Sequence, residues 1–145
     1  MKPRFVLDAW ALLALVQKEE PAASRVQRLL EDARSGEVDL FISMINLGEA
    51  VYRIGRQLGE EEALATLEDI RRLALTFVPA SDTAVVEAAR FKMHHAVTYA
   101  DAFAATAAQE MQATLVTGDP ELTKLGNRLR LEKLERGGKE LRIEN

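Results

Sequence analysis

Of four acids in this chain, Asp8, Glu49, Asp101 and Asp119, three stand at the same kind of junction, where a short apolar run gives way to a helical segment. Asp8 ends the run Phe5-Val6-Leu7, and Asp119 follows the run Ala113 to Thr117. Glu49 lies just past Leu40-Phe41-Ile42, in the first turns of a helical stretch, and Asp101 opens the alanine-rich segment Tyr99 to Gln109. Short apolar runs alternating with segments of helical period restrict the fold to a parallel sheet with right-handed crossovers and helices on both faces. In such a sheet the carboxyl ends of the strands and the starts of the following helices gather along one edge, where ligands bind. Two charges ~5 Å apart repel by roughly 3 kcal/mol at an effective dielectric of about 20. Four carboxylates brought together there call for a hard cation with oxygen ligands, which removes that cost.

The punctuation supports this reading along the chain. Arg4 to Leu7 is expected as a buried strand and Ala9 to Gln17 as a short buried helix. Pro21 at a first-turn position opens a second helix with Val26, Leu29 and Leu30 at helical spacing, closed by Gly36. Val38 to Ile42 is the second strand, and Ser43 caps a third helix that runs to about Gln57 and ends at Gly59. A fourth helix carries Ala63, Leu67, Ile70, Leu73 and Ala74; Thr76 to Val78 is a strand stopped by Pro79. Ser81 or Asp82 caps a fifth helix through about Lys92, and Thr98 caps a sixth. Ala113 to Thr117, a short helix over Pro120 to Leu125, and a last strand within Leu129 to Leu134 complete one domain over residues 1–134. The charged segment 135–145 is expected as a mobile tail or an edge hairpin.

Composition limits the chemistry. The chain of 145 residues has no cysteine and only two histidines, His94 and His95, which excludes thiolate metal sites and argues against a His-rich zinc site. Oxygen donors remain, and these favour Mg²⁺ or Mn²⁺. No apolar stretch approaches the ~20 residues of a membrane span and no signal-peptide pattern opens the chain, so the expected compartment is the cytoplasm. A net charge of −4 argues against tight, sequence-independent binding of nucleic acid by the bare protein. It does not exclude a nucleic-acid enzyme, because a bound divalent ion brings positive charge of its own.

Each acid also has a purely structural explanation. Asp8 reads as a helix N-cap, Asp119-Pro120 as an N-cap followed by proline, and Thr98-x-x-Asp101 and Asn46-x-x-Glu49 as variants of a capping box. Capping by itself predicts no co-location. The many small residues of the Asp101 segment, among them Ala100, Ala102, Ala104 and Ala105, let that helix approach the sheet closely. Glu49, Arg53 and Arg56 share a helical face, either as a solvated ion pair or as groups beside a metal site that contact phosphates. His94-His95 is expected as a solvated helix end, and Trp10 and Phe103 as core or interface residues.

The segments Phe5-Val6-Leu7-Asp8-Ala9, Ile45 to Ala50, Thr98-Tyr99-Ala100-Asp101-Ala102 and Leu115 to Asp119 resemble, in this order, the motifs of PIN-domain proteins. The chain is most similar to the small, free-standing VapC toxins of toxin–antitoxin modules, over about Arg4 to Leu134. The resemblance implies an α/β fold of three α/β/α layers, a short parallel sheet of four or five strands and about seven helices. It implies Mg²⁺- or Mn²⁺-dependent endoribonuclease activity on RNA, a homodimer, and a cognate antitoxin that blocks the site. Asp8, Glu49, Asp101 and Asp119 carry over as the acidic quartet, as catalytic and metal-binding residues. Thr117 corresponds to the hydroxyl residue beside the last acid. Asn46, where the family varies, carries over only as an orienting group; Arg53 and Arg56 are RNA-contacting candidates from their place on the Glu49 face and not from the resemblance.

Two other classes stand beside this one. A receiver-like signalling module also gathers acids and Mg²⁺ at strand ends, but it needs a lysine at the end of its last strand. Lys133 is the only candidate, and no second Asp adjoins Asp8. A PIN-like scaffold that binds RNA or protein without cutting is the other; an intact acidic quartet argues against it.

Overall fold

The computed structural model describes residues 1–137. Five parallel strands, β1 (Arg4–Leu7), β2 (Asp39–Ser43), β3 (Thr76–Val78), β4 (Thr114–Thr117) and β5 (Leu131–Lys133), form one sheet in the order β3-β2-β1-β4-β5. Among the described residues, seven helices surround it: α1 (Ala9–Val16), α2 (Ala22–Arg34), α3 (Met44–Leu58), α4 (Glu60–Arg71), α5 (Asp82–His94), α6 (Tyr99–Glu110) and α7 (Pro120–Thr123). A 3₁₀ turn over Gly126–Arg128 precedes β5.

Alternation along the strands splits the core into two layers. Leu7, Leu40, Ile42 and Val116 point to one face and pack with Leu12, Leu29, Leu47 and Ile54, from α1 to α3. Val6, Phe41 and Leu115, their chain neighbours, point to the other and pack with Phe91, Phe103 and the alanines of α6. The period of two makes this division automatic once helices cover both faces. Both edge strands have only three residues, which leaves little unpaired backbone to recruit another chain. β5 is further tied to α2 by a bidentate pair between Arg25 and Glu132, at 2.6 and 3.0 Å.

The boundaries follow the capping chemistry with small shifts. Ser43 closes β2 and caps α3, accepting the Ile45 amide at 3.1 Å. Ser81 and Thr98 cap α5 and α6 in the same way. The second helix starts after Pro21 and not at it, and the fourth stops at Arg71, so Leu73 and Ala74 lie in the turn leading to β3. With Ser43 as the cap of α3, Asn46-x-x-Glu49 is not a capping box: both residues lie inside the helix. Residues 135–137 run beside residues 19–21: Arg136 bridges to Pro21, and the Gly137 amide donates to the Glu20 carbonyl at 2.6 Å. The rest of the expected tail, 138–145, lies outside the described residues. His95 is half-buried and not simply solvated, its ring 4.1 Å from that of Phe91, whereas His94 is exposed. Among the described residues, no helix is long and apolar enough to cross a membrane.

Candidate active site

The sheet order sets the place of the site. From β1 the chain moves out through β2 to β3, then returns to the other side of β1 for β4 and β5, so the order reverses between β1 and β4. A crevice opens beyond the carboxyl ends of the strands at such a reversal. Asp8 stands at the end of β1, and Thr117 and Asp119 at the end of β4, on its two sides. Asp8, Glu49, Asp101 and Asp119 line one cavity of about 240 Å³, together with Ala9, Trp10, Leu13 and Arg53.

Asp8, Thr98 and Asp119 do act as caps, and these caps also aim the acids. Asp8 caps α1: Oδ1 accepts the Ala11 amide at 2.9 Å and Oδ2 accepts the Thr117 hydroxyl. Asp119 caps α7, accepting the Glu121 amide at 3.0 Å, while its own amide donates to Thr117 Oγ1 at 2.9 Å. Asp101 sits in the first turn of α6, its amide held by the Thr98 hydroxyl at 3.1 Å. Asn46, fully buried, donates Nδ2 to the Ala100 carbonyl at 3.0 Å and so fixes the start of α6 against α3. Glu49, half-buried, pairs with Arg53 at 3.3 Å.

Electrostatically the site is under stress. Burial pushes the Asp8 carboxyl up to about 7; the Thr117 and Ala11 hydrogen bonds oppose this, and the charges of Asp101 and Asp119 add to it. Burial likewise pushes Asp101 up to about 6, reinforced by Asp119 and Glu49 and opposed by bonds from Thr98. Oδ2 of Asp101 is buried with no hydrogen-bond partner. A buried carboxylate oxygen without a donor is costly, and a cation beside it supplies what is missing. The donor set, oxygen alone, suits Mg²⁺ or Mn²⁺. The cage is not preformed: as the side chains stand, no three His, Asp or Glu among the described residues converge on one point closely enough to hold an ion.

The structure separates residues that the sequence left together. Arg53 lines both the acidic cavity and a neighbouring groove, whereas Arg56 lines only the groove and leans on Tyr52. Phe103 is core, but Trp10 and Leu13 are walls of the site. Trp10 two residues after Asp8, in the first turn of the same helix, was the available clue. Lys133 is exposed on edge strand β5 and does not line the acidic cavity, so the receiver-like arrangement lacks its lysine.

A PIN domain family model matches residues 5–127. Among solved structures, similar chains include the toxin–antitoxin complex VapBC2 of Rickettsia felis bound to a promoter DNA fragment (18% identity, TM-score 0.69, covering 91% of this chain and 99% of that one). A DNA-bound VapBC chain of Salmonella typhimurium gives 21% identity, a TM-score of 0.67 and coverage of 90% and 98%. VapC20 of Mycobacterium tuberculosis, described as a toxin that cleaves the sarcin-ricin loop, gives 15%, 0.67, and coverage of 84% and 95%. No curated protein matches the sequence. With the family model spanning most of its length and the site at the expected sheet reversal, the chain belongs to the PIN-domain family.

Proposed function

We propose that this protein is a divalent-metal-dependent endoribonuclease that hydrolyses RNA phosphodiester bonds, and that it is the toxin of a type II toxin–antitoxin module. The observation that carries the reading is that four acids, from four separate segments, line one small cavity where the Asp101 carboxylate keeps a buried, unpartnered oxygen. Asp8 and Asp101 would hold Mg²⁺ or Mn²⁺ most directly, with Glu49 and Asp119 completing the acidic shell. When bound, the ion supplies Lewis acidity, which lowers the pKa of water and stabilises charge on phosphate oxygens.

The chain's own groups do the rest. Thr117 and the Ala11 amide fix the rotamer of Asp8. Thr98 and Asn46 fix the start of α6, and with it the position of Asp101. Arg53 holds Glu49 toward the cavity and presents a guanidinium to an incoming phosphate. Ala9 and Leu13 are buried walls beside the acids, and a lowered local dielectric there strengthens the charge interactions. The VapBC assemblies among the structural neighbours support a cognate antitoxin as partner; the working form proposed with it is a homodimer. The proposed compartment is the cytoplasm, where RNA is met.

Purified protein freed of any antitoxin is expected to cut unstructured RNA with Mg²⁺ or Mn²⁺ and to be silent in EDTA. Asp8→Asn and Asp101→Asn should each lose activity by orders of magnitude, and the double variant should be little worse than either. The ions should also raise the melting temperature of the wild type and not that of Asp101→Asn. Cleavage that survives EDTA, or that Asp101→Asn retains, would assign it to another site.

A further inference from the structure

Beside the acidic cavity lies a larger one, about 540 Å³, that shares Trp10, Leu13 and Arg53 with it. Helix α3 adds Tyr52 and Arg56. The segment after β5 adds Arg136, and the turn after α1 adds Glu19. Three arginines thus face a single acid in a chain whose net charge is −4. Their placement is specific. Arg136 lies over the Trp10 ring, 5.3 Å from its centroid, and pairs with Glu19 at 2.9 Å. Arg56 lies over the Tyr52 ring at 6.0 Å and donates to its hydroxyl at 3.3 Å. Tyr52 itself is 59% exposed, a large aromatic face left open in a polar groove.

Aromatic faces interleaved with arginines, running into a phosphate-processing site, match what an unpaired nucleotide needs: a surface on which its base stacks and cations for its phosphate. A duplex offers no free base face to such a groove. We propose that this groove is a binding site for one unpaired nucleotide flanking the bond to be cut, with its base on Tyr52 and its phosphate between Arg56 and Arg136. The inference rests on the ribonuclease reading and deepens it to single-stranded RNA. Arg136 lies beyond the segment matched by the family model, so this wall of the groove comes from the residues just after β5. Glu19 holds Arg136 over Trp10, and an RNA phosphate would draw that guanidinium into the groove.

Trp10 is the only tryptophan in the chain, so its emission reports directly on the groove. The test uses the full-length Asp101→Asn protein in EDTA, titrated with a short unstructured RNA oligonucleotide and with its duplex form. The single strand should quench Trp10 and the duplex should not. Adding Tyr52→Ala should weaken binding roughly 5- to 150-fold, the loss of one base–aromatic stack. Arg56→Gln and Arg136→Gln should each reduce the slope of log affinity against log salt by about 0.7, one phosphate contact on a single strand. All three positions are exposed, and melting curves verify that the variants fold. Unchanged RNA affinity in Tyr52→Ala and Arg136→Gln, equal quenching by duplex, or no RNA binding at all would overturn the groove. Loss of a co-expressed antitoxin with RNA affinity intact would do so as well, and would reassign the groove to protein. Metal-dependent cleavage with a failed groove leaves the nuclease reading standing; groove-dependent RNA binding without cleavage does the reverse.

Discussion

Thr117 donates its hydroxyl hydrogen to Asp8 across the gap between β4 and β1, while the same oxygen accepts the amide of Asp119. One hydroxyl thereby links two acids from opposite sides of the sheet reversal. It is also the largest influence holding the Asp8 carboxyl down against burial. Thr117→Val keeps the shape and removes the donor. This variant should raise the Asp8 pKa above about 7, weaken the ion-induced rise in melting temperature at neutral pH, and cost about 1–3 kcal/mol above that pH. Thr117→Ser should recover most of both. An ion response in Thr117→Val equal to that of the wild type would remove the residue from the metal site.

The ion-free protein should lose stability as pH rises. Asp8 and Asp101 titrate near 7 and 6 in the folded state, against an ordinary value of 3.8. Between about pH 4 and 7 the folded state therefore binds more protons than the unfolded state, and the stability slope with pH is negative there. Above about 7 it levels off. Chemical denaturation in EDTA at about pH 5 and about pH 8 measures the difference. Asp8→Asn should flatten it. Mg²⁺ should oppose the fall, since the ion binds the deprotonated acids and its affinity grows with pH. A stability that climbs from the lower to the higher pH in EDTA would contradict the electrostatic account of the site.

Gly118 separates Thr117 from Asp119, and its backbone runs against the six-membered ring of Trp10. A Cβ there would overlap that ring. Gly118→Ala must push Trp10 aside, at an expected cost of about 1–3 kcal/mol for overpacking. Because Trp10 walls both cavities, the displacement should appear as a changed tryptophan emission and reduced RNA cleavage. Wild-type emission and activity in this variant would show that the ring is free to move.

The proposed homodimer has a candidate surface in α5, which exposes Val86 at 56% and Met93 at 73%. These residues are seven apart and so share a helical face. Light scattering at micromolar concentration should give about twice the 16.1 kDa chain mass. Val86→Glu with Met93→Glu should shift it toward the monomer. A wild-type monomer under those conditions would remove the dimer, and a dimer indifferent to the double change would move it to another face.

What the linear order of residues determined is local. Apolar runs ending at Asp8 and Thr117, the caps Ser43, Ser81 and Thr98, and the glycines after helices mark where elements begin and stop, because capping and periodicity act within a turn or two. Parallel pairing and helices on both faces follow from their alternation, and the motif order around the four acids was enough to suggest the family. What lies between segments far apart in the chain was decided only by the tertiary structure. The hydrogen bond from Thr117 to Asp8 spans 109 residues, and that from Asn46 to Ala100 spans 54. The same is true of Trp10 serving as a wall of the site, and of Arg136 crossing the boundary expected at residue 134 to reach Trp10. No local pattern encodes such contacts. They arise when packing two helical layers against one sheet fixes which surfaces meet, and burial then sets how strongly the acids at that meeting point resist their own charge.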